Sequence, residues 1–257
     1  SDVPHFQNFA DAIRNGTKLN SDIADVQKGS VMCHLGNIAH RTGRSLRCDP
    51  ADGHIQGDAA AAALAEMRFG AGKGFAGKTL LLTLGTGIGV ALIRRGAVAA
   101  GANGVHGEFG HISIALDGAS CFCGAHGCWE SFAGGAAIER AWIGGAPARQ
   151  ARSAGEIFDA AASGETVAAE IVDAAVRATA LGIANIAVAV APAAVIVGGG
   201  LASRWERFAA AVDAELAKRA PILAVQPEIR RARFGAEAVL VGAGIAALDA
   251  NDAPVSR

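Results

Sequence analysis

The sequence has almost no excess charge, because 23 lysines and arginines stand against 24 aspartates and glutamates, a formal net charge of −1. Binding to nucleic-acid phosphates needs a basic face, so this balance excludes that class of partner. The chain also has no apolar run long enough to span a bilayer. Its first residues lack the apolar segment of a signal peptide. These absences predict a cytoplasmic protein that binds neither nucleic acid nor a membrane.

Cysteines are few, and three of the five lie close together. Cys121, Cys123 and Cys128 fall within eight residues, a spacing too short for an ordinary disulfide framework. His111 precedes them, and one imidazole with three thiolates suits the tetrahedral coordination of structural zinc. The glycines at 124 and 127 allow the chain to turn tightly enough for three sulfurs to converge. The sequence therefore predicts a zinc site.

Two alternatives to this zinc site remain open at the level of sequence. The three thiols are incidental in one of them. In the other they form a redox pair, although Cys-x-Cys lacks the two-residue spacer of the thioredoxin type. The nitrogen ligand is also open, because His106 and His126 lie near His111 in the sequence.

The composition changes near residue 58. Residues 1–57 contain no glutamate and four of the seven histidines, and their pattern is mostly helical or irregular with no core-forming strands. We interpret them as a segment that is not a complete domain. Residues 58–257 are rich in alanine, glycine and valine and alternate between strand and helix patterns, which indicates an α/β architecture.

The predicted elements after residue 58 follow from apolar runs and helical spacing. The strands are 78–84, a hairpin of 89–94 with 97–100, and 194–197. The long helix 165–190 carries an apolar stripe, which offers a surface for a second copy of the chain. Ser203 and Glu206 are predicted to form a capping box for the helix that follows.

Two glycine-rich segments follow predicted strands, and both present backbone N–H groups suited to phosphate oxygens. The alternatives are a plain tight turn for the first and a flexible connector for the second. The first segment precedes a strand and not a helix, which argues against a dinucleotide-binding fingerprint. The candidate nucleotide-binding residues are Gly85, Thr86, Gly87 and Gly89 in the first segment, and Gly198, Gly199 and Gly200 in the second.

These motifs together resemble the ROK family of repressors, uncharacterised proteins and sugar kinases. The resemblance is carried by Gly107-Glu108-Phe109-Gly110-His111, by the three clustered cysteines and by Glu130. It implies an actin-like, ribonuclease-H-like kinase fold with a structural zinc loop. It also implies a homodimer that uses ATP with Mg²⁺ to phosphorylate a hexose of the glucokinase type.

The resemblance assigns roles to individual residues. Glu108, His111 and Glu130 would contact sugar hydroxyls, and His111 would also bind zinc together with Cys121, Cys123 and Cys128. Asp58 resembles the family's catalytic base at the start of a helix. The alternative for Asp58 is a helix N-cap, for which aspartate is also preferred.

The front of the chain departs from this family. The sequence contains no Asp-x-Gly-Gly-Thr segment, which implies impaired turnover or a non-catalytic sugar-binding or regulatory module. Residues 1–57 instead resemble the C-terminal end of proteins of the glucose-fructose oxidoreductase and inositol dehydrogenase superfamily. That superfamily's nucleotide-binding domain is absent from the sequence, so hydride transfer is not expected.

Overall fold

The computed structural model divides the chain into two units, Ser1–Gln56 and Gly57–Arg257. It describes residues 14–15, 58–99, 101, 106–144, 149–223, 225–239, 241–242 and 245. The interpretation of residues 1–57 as an incomplete, mostly helical or irregular domain lies outside the described residues and stays a prediction. The elements below all belong to the second unit.

A five-stranded mixed sheet in the order β3-β2-β1-β4-β5 lies at the centre of this unit. β1 pairs antiparallel with β2, which pairs antiparallel with β3, whereas β4 runs parallel to both β1 and β5. The carboxyl ends of β1 and β4 therefore lie at the same edge. The strands are β1 (Thr79–Leu84), β2 (Ile88–Arg94), β3 (Ala97–Val98), β4 (Ala194–Gly198) and β5 (Glu228–Arg231).

Helices cover both faces of the sheet, as the alternating pattern predicts. The α-helices of the described residues are α1 (Asp58–Phe69), α2 (Glu130–Ala133), α3 (Gly135–Gly144), α4 (Ala154–Ala162), α5 (Thr166–Val190) and α6 (Glu206–Lys218). Three short 3-10 helices are Phe109–His111, Gly200–Arg204 and Gly235–Glu237. The α/β fold class is confirmed.

Alternate side chains of β1 enter two different cores because successive residues of a strand point to opposite faces. Leu80, Leu82 and Leu84 belong to the larger core, which also contains the apolar residues of α5 and α6. Leu81 lies in the smaller core with Ile196 and the alanines of α1. The sheet is thus buried between a thick helical layer and a thin one.

The capping box lies at a different helix from the one predicted. The Ser153 hydroxyl accepts the N–H of Glu156, and the Glu156 carboxylate accepts the N–H of Ser153, at the start of α4. Ser203 and Glu206 do not form one, because Ser203 lies in a 3-10 helix and its hydroxyl donates to the carbonyl of Gly200. The prediction for α6 was therefore wrong.

Helix α5 is a core helix. By length and composition it could cross a membrane, but 61% of its most apolar window is buried inside the protein. It contacts α2, α3, α4 and α6. Much of its apolar stripe is therefore used internally, and its use as a surface for a second copy of the chain stays a prediction.

Gly182, in the middle of α5, is in contact with a buried tryptophan. A Cβ at this position would lie 2.3 Å and 2.5 Å from two carbons of the Trp129 indole, which is fully buried. We expect Gly182→Ala to lower the free energy of unfolding by about 1–3 kcal/mol through overpacking, although alanine gains about 1 kcal/mol in helix propensity. Urea unfolding measures this difference.

The control for this prediction is Gly144→Ala, because a Cβ on Gly144 at the end of α3 meets no described atom within 4 Å. That variant is expected to retain or slightly raise the free energy of unfolding. Equal free energies of unfolding for the two variants would show that the Trp129 indole shifts without a cost in stability.

Candidate active site and zinc centre

A cluster of one histidine and three cysteines lies beside the 3-10 helix Phe109–His111. The ligand atoms of His111, Cys121, Cys123 and Cys128 all lie within 4.8 Å of one another. Cys121 Sγ is 3.4 Å from His111 Nδ1, and the Sγ atoms of Cys123 and Cys128 are 3.6 Å apart. Tetrahedral zinc separates such ligands by roughly 3.5–3.8 Å. The donor set and its spacing fit a zinc ion.

The backbone of residues 111–128 explains why the four groups meet. Gly124 and Gly127 have φ angles of +92° and +67°, in the left-handed region that favours glycine. A Cβ on Gly127 would lie 1.8 Å from the carbonyl oxygen of Ala115. Both glycines named in the sequence analysis are thus required by the turn.

The structure places His111 in the cluster, and the other two candidate histidines elsewhere. His126 Nδ1 lies 3.4 Å from the Ser120 hydroxyl. His106 Nδ1 lies 3.3 Å from the carbonyl oxygen of Ala99. Neither belongs to the group of converging ligand atoms. The His111 ring nitrogen next to Cys121 is Nδ1.

The cysteines differ in exposure and in acidity. Cys128 is fully buried, and burial raises the pKa of its thiol to about 12, with the neighbouring sulfurs adding to the shift. Cys123 is exposed, and the backbone N–H of Ala125 lowers the pKa of its thiol. Metal binding requires the thiolate of every ligand cysteine, so an ion would displace the Cys128 proton.

Backbone pairing on either side of Cys128 determines where the start of α2 lies. The N–H of Trp129 donates to the carbonyl of Ile112 over 2.9 Å, and the N–H of Ile114 donates to that of Gly127 over 2.8 Å. This isolated antiparallel bridge pairs Ser113 with Cys128 and brings the start of α2 close to the end of the 3-10 helix that contains His111. Glu108 precedes the 3-10 helix with an exposed side chain, and its carbonyl accepts the N–H of His111.

The first glycine-rich segment is the β1–β2 turn, here called the glycine loop (residues 85–88). The carbonyls of Gly85 and Thr86 accept the N–H groups of Gly135 and Ala136, over 2.8 Å and 3.0 Å. Those contacts orient the loop on the start of α3. The N–H groups of Thr86 and Gly87 have no partner among the described residues. These two donors are available to an anion.

The second glycine-rich segment meets the first at the sheet edge. Gly199, just after β4, has a φ of +88°, and a Cβ there would lie 2.4 Å from the carbonyl oxygen of Leu84. Gly198 ends β4 and Gly200 begins the next 3-10 helix. In α/β sheets, ligands bind outside the carboxyl ends of parallel strands, which is this position.

Asp58 is the first residue of α1, and its side chain lies outside the described part. A Cβ on Gly89 would be 3.1 Å from the Cβ of Ala59, so the start of α1 lies against β2 next to the glycine loop. Gly89 itself belongs to β2 and pairs with Thr83. Glycine at this position allows α1 to pack closely against β2.

One hydrogen-bond donor at this site could not be found from the sequence. The backbone N–H of Ile88, in the glycine loop, donates to Glu130 Oε2 over 2.7 Å. A main-chain donor is present at every residue except proline, so residue types do not reveal it. The contact joins the first residue of α2 to the glycine loop.

The ROK family profile matches residues 51–250. The chain belongs to the ROK family. It is 33% identical over 204 residues to a glucokinase of Halalkalibacterium halodurans, which covers 74% of this chain and 62% of that protein. The chain therefore spans less than two thirds of the length of this curated relative.

Two solved structures of ROK proteins share the fold. A ROK hexokinase from Thermus thermophilus is 36% identical, with a TM-score of 0.67 over 76% of this chain and 65% of that one. A ROK family glucokinase from Streptomyces griseus, solved with glucose and AMPPNP, is 30% identical, with a TM-score of 0.66 over 84% of this chain and 72% of that one.

Proposed function

We propose that this ROK chain carries the sugar-binding and part of the nucleotide-binding machinery of an ATP-dependent hexose kinase of the glucokinase type. The observation that carries the proposal is the convergence of Gly198–Gly200, Glu130 and the 3-10 helix that contains His111 around the glycine loop, at one edge of the sheet. The glucokinase from Streptomyces griseus, solved with glucose and AMPPNP, supports this choice of substrates.

In this proposal each polar residue has a defined task. Glu108, His111 Nε2 and Glu130 bind and orient the sugar hydroxyls. Asp58 accepts the proton of the attacking hydroxyl, whose oxygen bonds to the γ-phosphorus as the bond to ADP breaks. The donors of Thr86 and Gly87, with Gly198–Gly200 across the edge, hold the nucleotide phosphates. Mg²⁺ bound to ATP supplies charge neutralisation for the transferred phosphoryl group.

Zinc in this proposal is structural. His111, Cys121, Cys123 and Cys128 would hold it as a closed four-ligand site, which leaves no open position for a substrate. Its contribution is to fix the ring of His111, so that Nε2 faces the sugar, and to fix the segment that leads from Cys128 to Glu130 at the start of α2.

The test is a coupled assay with ATP, Mg²⁺ and glucose on the full chain. Asp58→Asn is expected to lower turnover by about 10²–10⁴-fold, the usual contribution of a general base. Glucose binding, measured by calorimetry, is expected to persist in the variant. The control Asp213→Asn changes an exposed aspartate on α6 and is expected to leave turnover intact. Unchanged turnover in Asp58→Asn would remove the base assignment.

A second candidate is a non-catalytic sugar-binding or regulatory module. It is favoured by the lack of an Asp-x-Gly-Gly-Thr segment in this sequence, since phosphoryl transfer depends on complete positioning of the phosphates. Glucose binding without turnover in the wild-type chain would select this candidate. Association into a homodimer and a cytoplasmic location accompany both candidates as proposals, and sedimentation analysis tests the first.

A further inference from the structure

A side chain at Gly87 of the glycine loop would collide with the carboxylate of Glu130. A Cβ there would lie 2.3 Å from Glu130 Oε2 and 3.0 Å from its carboxyl carbon. Gly85, two residues earlier in the same loop, is open on this side, since a Cβ there meets no described atom within 4 Å. Neither glycine has a positive φ, so alanine is free of backbone strain at both positions.

The glycine loop holds one oxygen of the Glu130 carboxylate. Oε2 accepts the N–H of Ile88 over 2.7 Å and lies directly against Gly87. Oε1 has no partner among the described residues. One oxygen therefore sets the position of the carboxylate, and the other is free to accept a hydroxyl.

We infer that Gly87 and the Ile88 N–H are positioning groups for the sugar acid Glu130, so that the loop facing the nucleotide phosphates also sets the affinity for the hexose. The inference rests on the proposed function, because it needs a sugar at Glu130. It adds a role that the glycine loop does not have as a phosphate-binding element alone.

The contacts explain how one loop serves both ligands. Its N–H groups at Thr86 and Gly87 are available to an anion, while its N–H at Ile88 holds the carboxylate. Its carbonyls at Gly85 and Thr86 are bound to the start of α3, which follows α2 and Glu130 directly. A displacement of the loop therefore displaces the carboxylate.

The test is glucose binding to the full zinc-loaded chain by calorimetry, with no nucleotide present. Gly87→Ala is expected to weaken binding by roughly tenfold or more, because misplacement of a binding group by about 1 Å has effects of that order. Gly144→Ala, a control at the end of α3 where a Cβ meets no described atom within 4 Å, is expected to bind glucose as the wild type does. Zinc content is measured in each sample and is expected to be unchanged.

The outcomes separate this inference from the proposed function. Glucose binding by the wild type with equal affinity in both glycine variants overturns the inference and leaves the proposed function in place. No glucose binding by the wild type overturns both. If Gly87 served phosphate binding alone, Gly87→Ala would change the affinity for nucleotide and leave the affinity for glucose unchanged.

A reciprocal variant covers the case in which Gly87→Ala does not fold. Glu130→Ala removes the acceptor of the Ile88 N–H and releases the glycine loop. We expect it to weaken binding of Mg²⁺–AMPPNP at least about threefold in the absence of sugar, because a released loop must be ordered when the nucleotide binds. Unchanged affinity for AMPPNP in a folded Glu130→Ala protein overturns the inference.

Discussion

Cys128→Ser is expected to abolish stoichiometric zinc binding and to cause the largest loss of stability among single substitutions in this chain. Cys128 is fully buried, and its Sγ is one of the four converging ligand atoms. Binding to the folded state stabilises it by about 4 kcal/mol when free zinc exceeds its Kd a thousandfold. The wild type is expected to hold about one zinc per chain, measured by elemental analysis.

Two comparisons test the structural origin of this effect. A strong chelator is expected to reduce the stability of the wild type to that of Cys128→Ser, because ligand loss and metal loss remove the same bonds. Leu116→Ser, on the same loop, changes a side chain that is 96% exposed and is expected to retain zinc and stability. A wild-type chain without zinc and with full stability in chelator would contradict the metal site.

Glu66→Ala is expected to lower the free energy of unfolding by about 3 kcal/mol or more. Glu66 on α1 is fully buried, and its two carboxylate oxygens accept the N–H groups of Ala71 and Phe234, each over 2.8 Å. Alanine leaves both donors unsatisfied in the interior, and each such donor costs about 1–3 kcal/mol. Urea unfolding of the two proteins measures the loss.

The matched control is Glu170→Ala, which removes an exposed glutamate from the helix α5. Its expected effect is within about 0.5 kcal/mol, as for other surface substitutions. If both glutamate variants lose the same stability, then water reaches the two backbone donors and Glu66 contributes nothing specific.

Local patterns were sufficient for much of the fold. The apolar run at 78–84 and the hairpin 89–100 are confirmed as β1 with β2 and β3, and the helix predicted at 165–190 is confirmed as α5. The type of the long helix follows from its helical spacing, whereas the short strands follow from apolar runs bounded by turn residues. The family assignment is also confirmed, because its signature is carried by several residue types at fixed spacing.

Contacts between distant segments were not predictable in this way. The carboxylate of Glu66 binds a backbone N–H 168 residues away, and Gly182 accommodates the indole of Trp129 from a distant segment of the chain. The prediction of a Ser203–Glu206 capping box was wrong because Ser203 lies within the 3-10 helix that begins at Gly200. It therefore does not have the conformation of a residue that caps α6. Such features depend on three-dimensional neighbours that residue spacing does not specify.

The run of alanines in α1 has a consequence for the geometry of the whole site. Ala59, Ala62 and Ala63 face the thin core, and the carbonyl of Ala61 lies against Gly242, where a Cβ would be 1.6 Å away. Methyl groups and hydrogen atoms therefore set the distance between this helix and the sheet. The position of Asp58, the proposed base at the start of α1, therefore depends on this close packing. We expect a bulkier side chain on this face of α1 to move Asp58 away from the glycine loop.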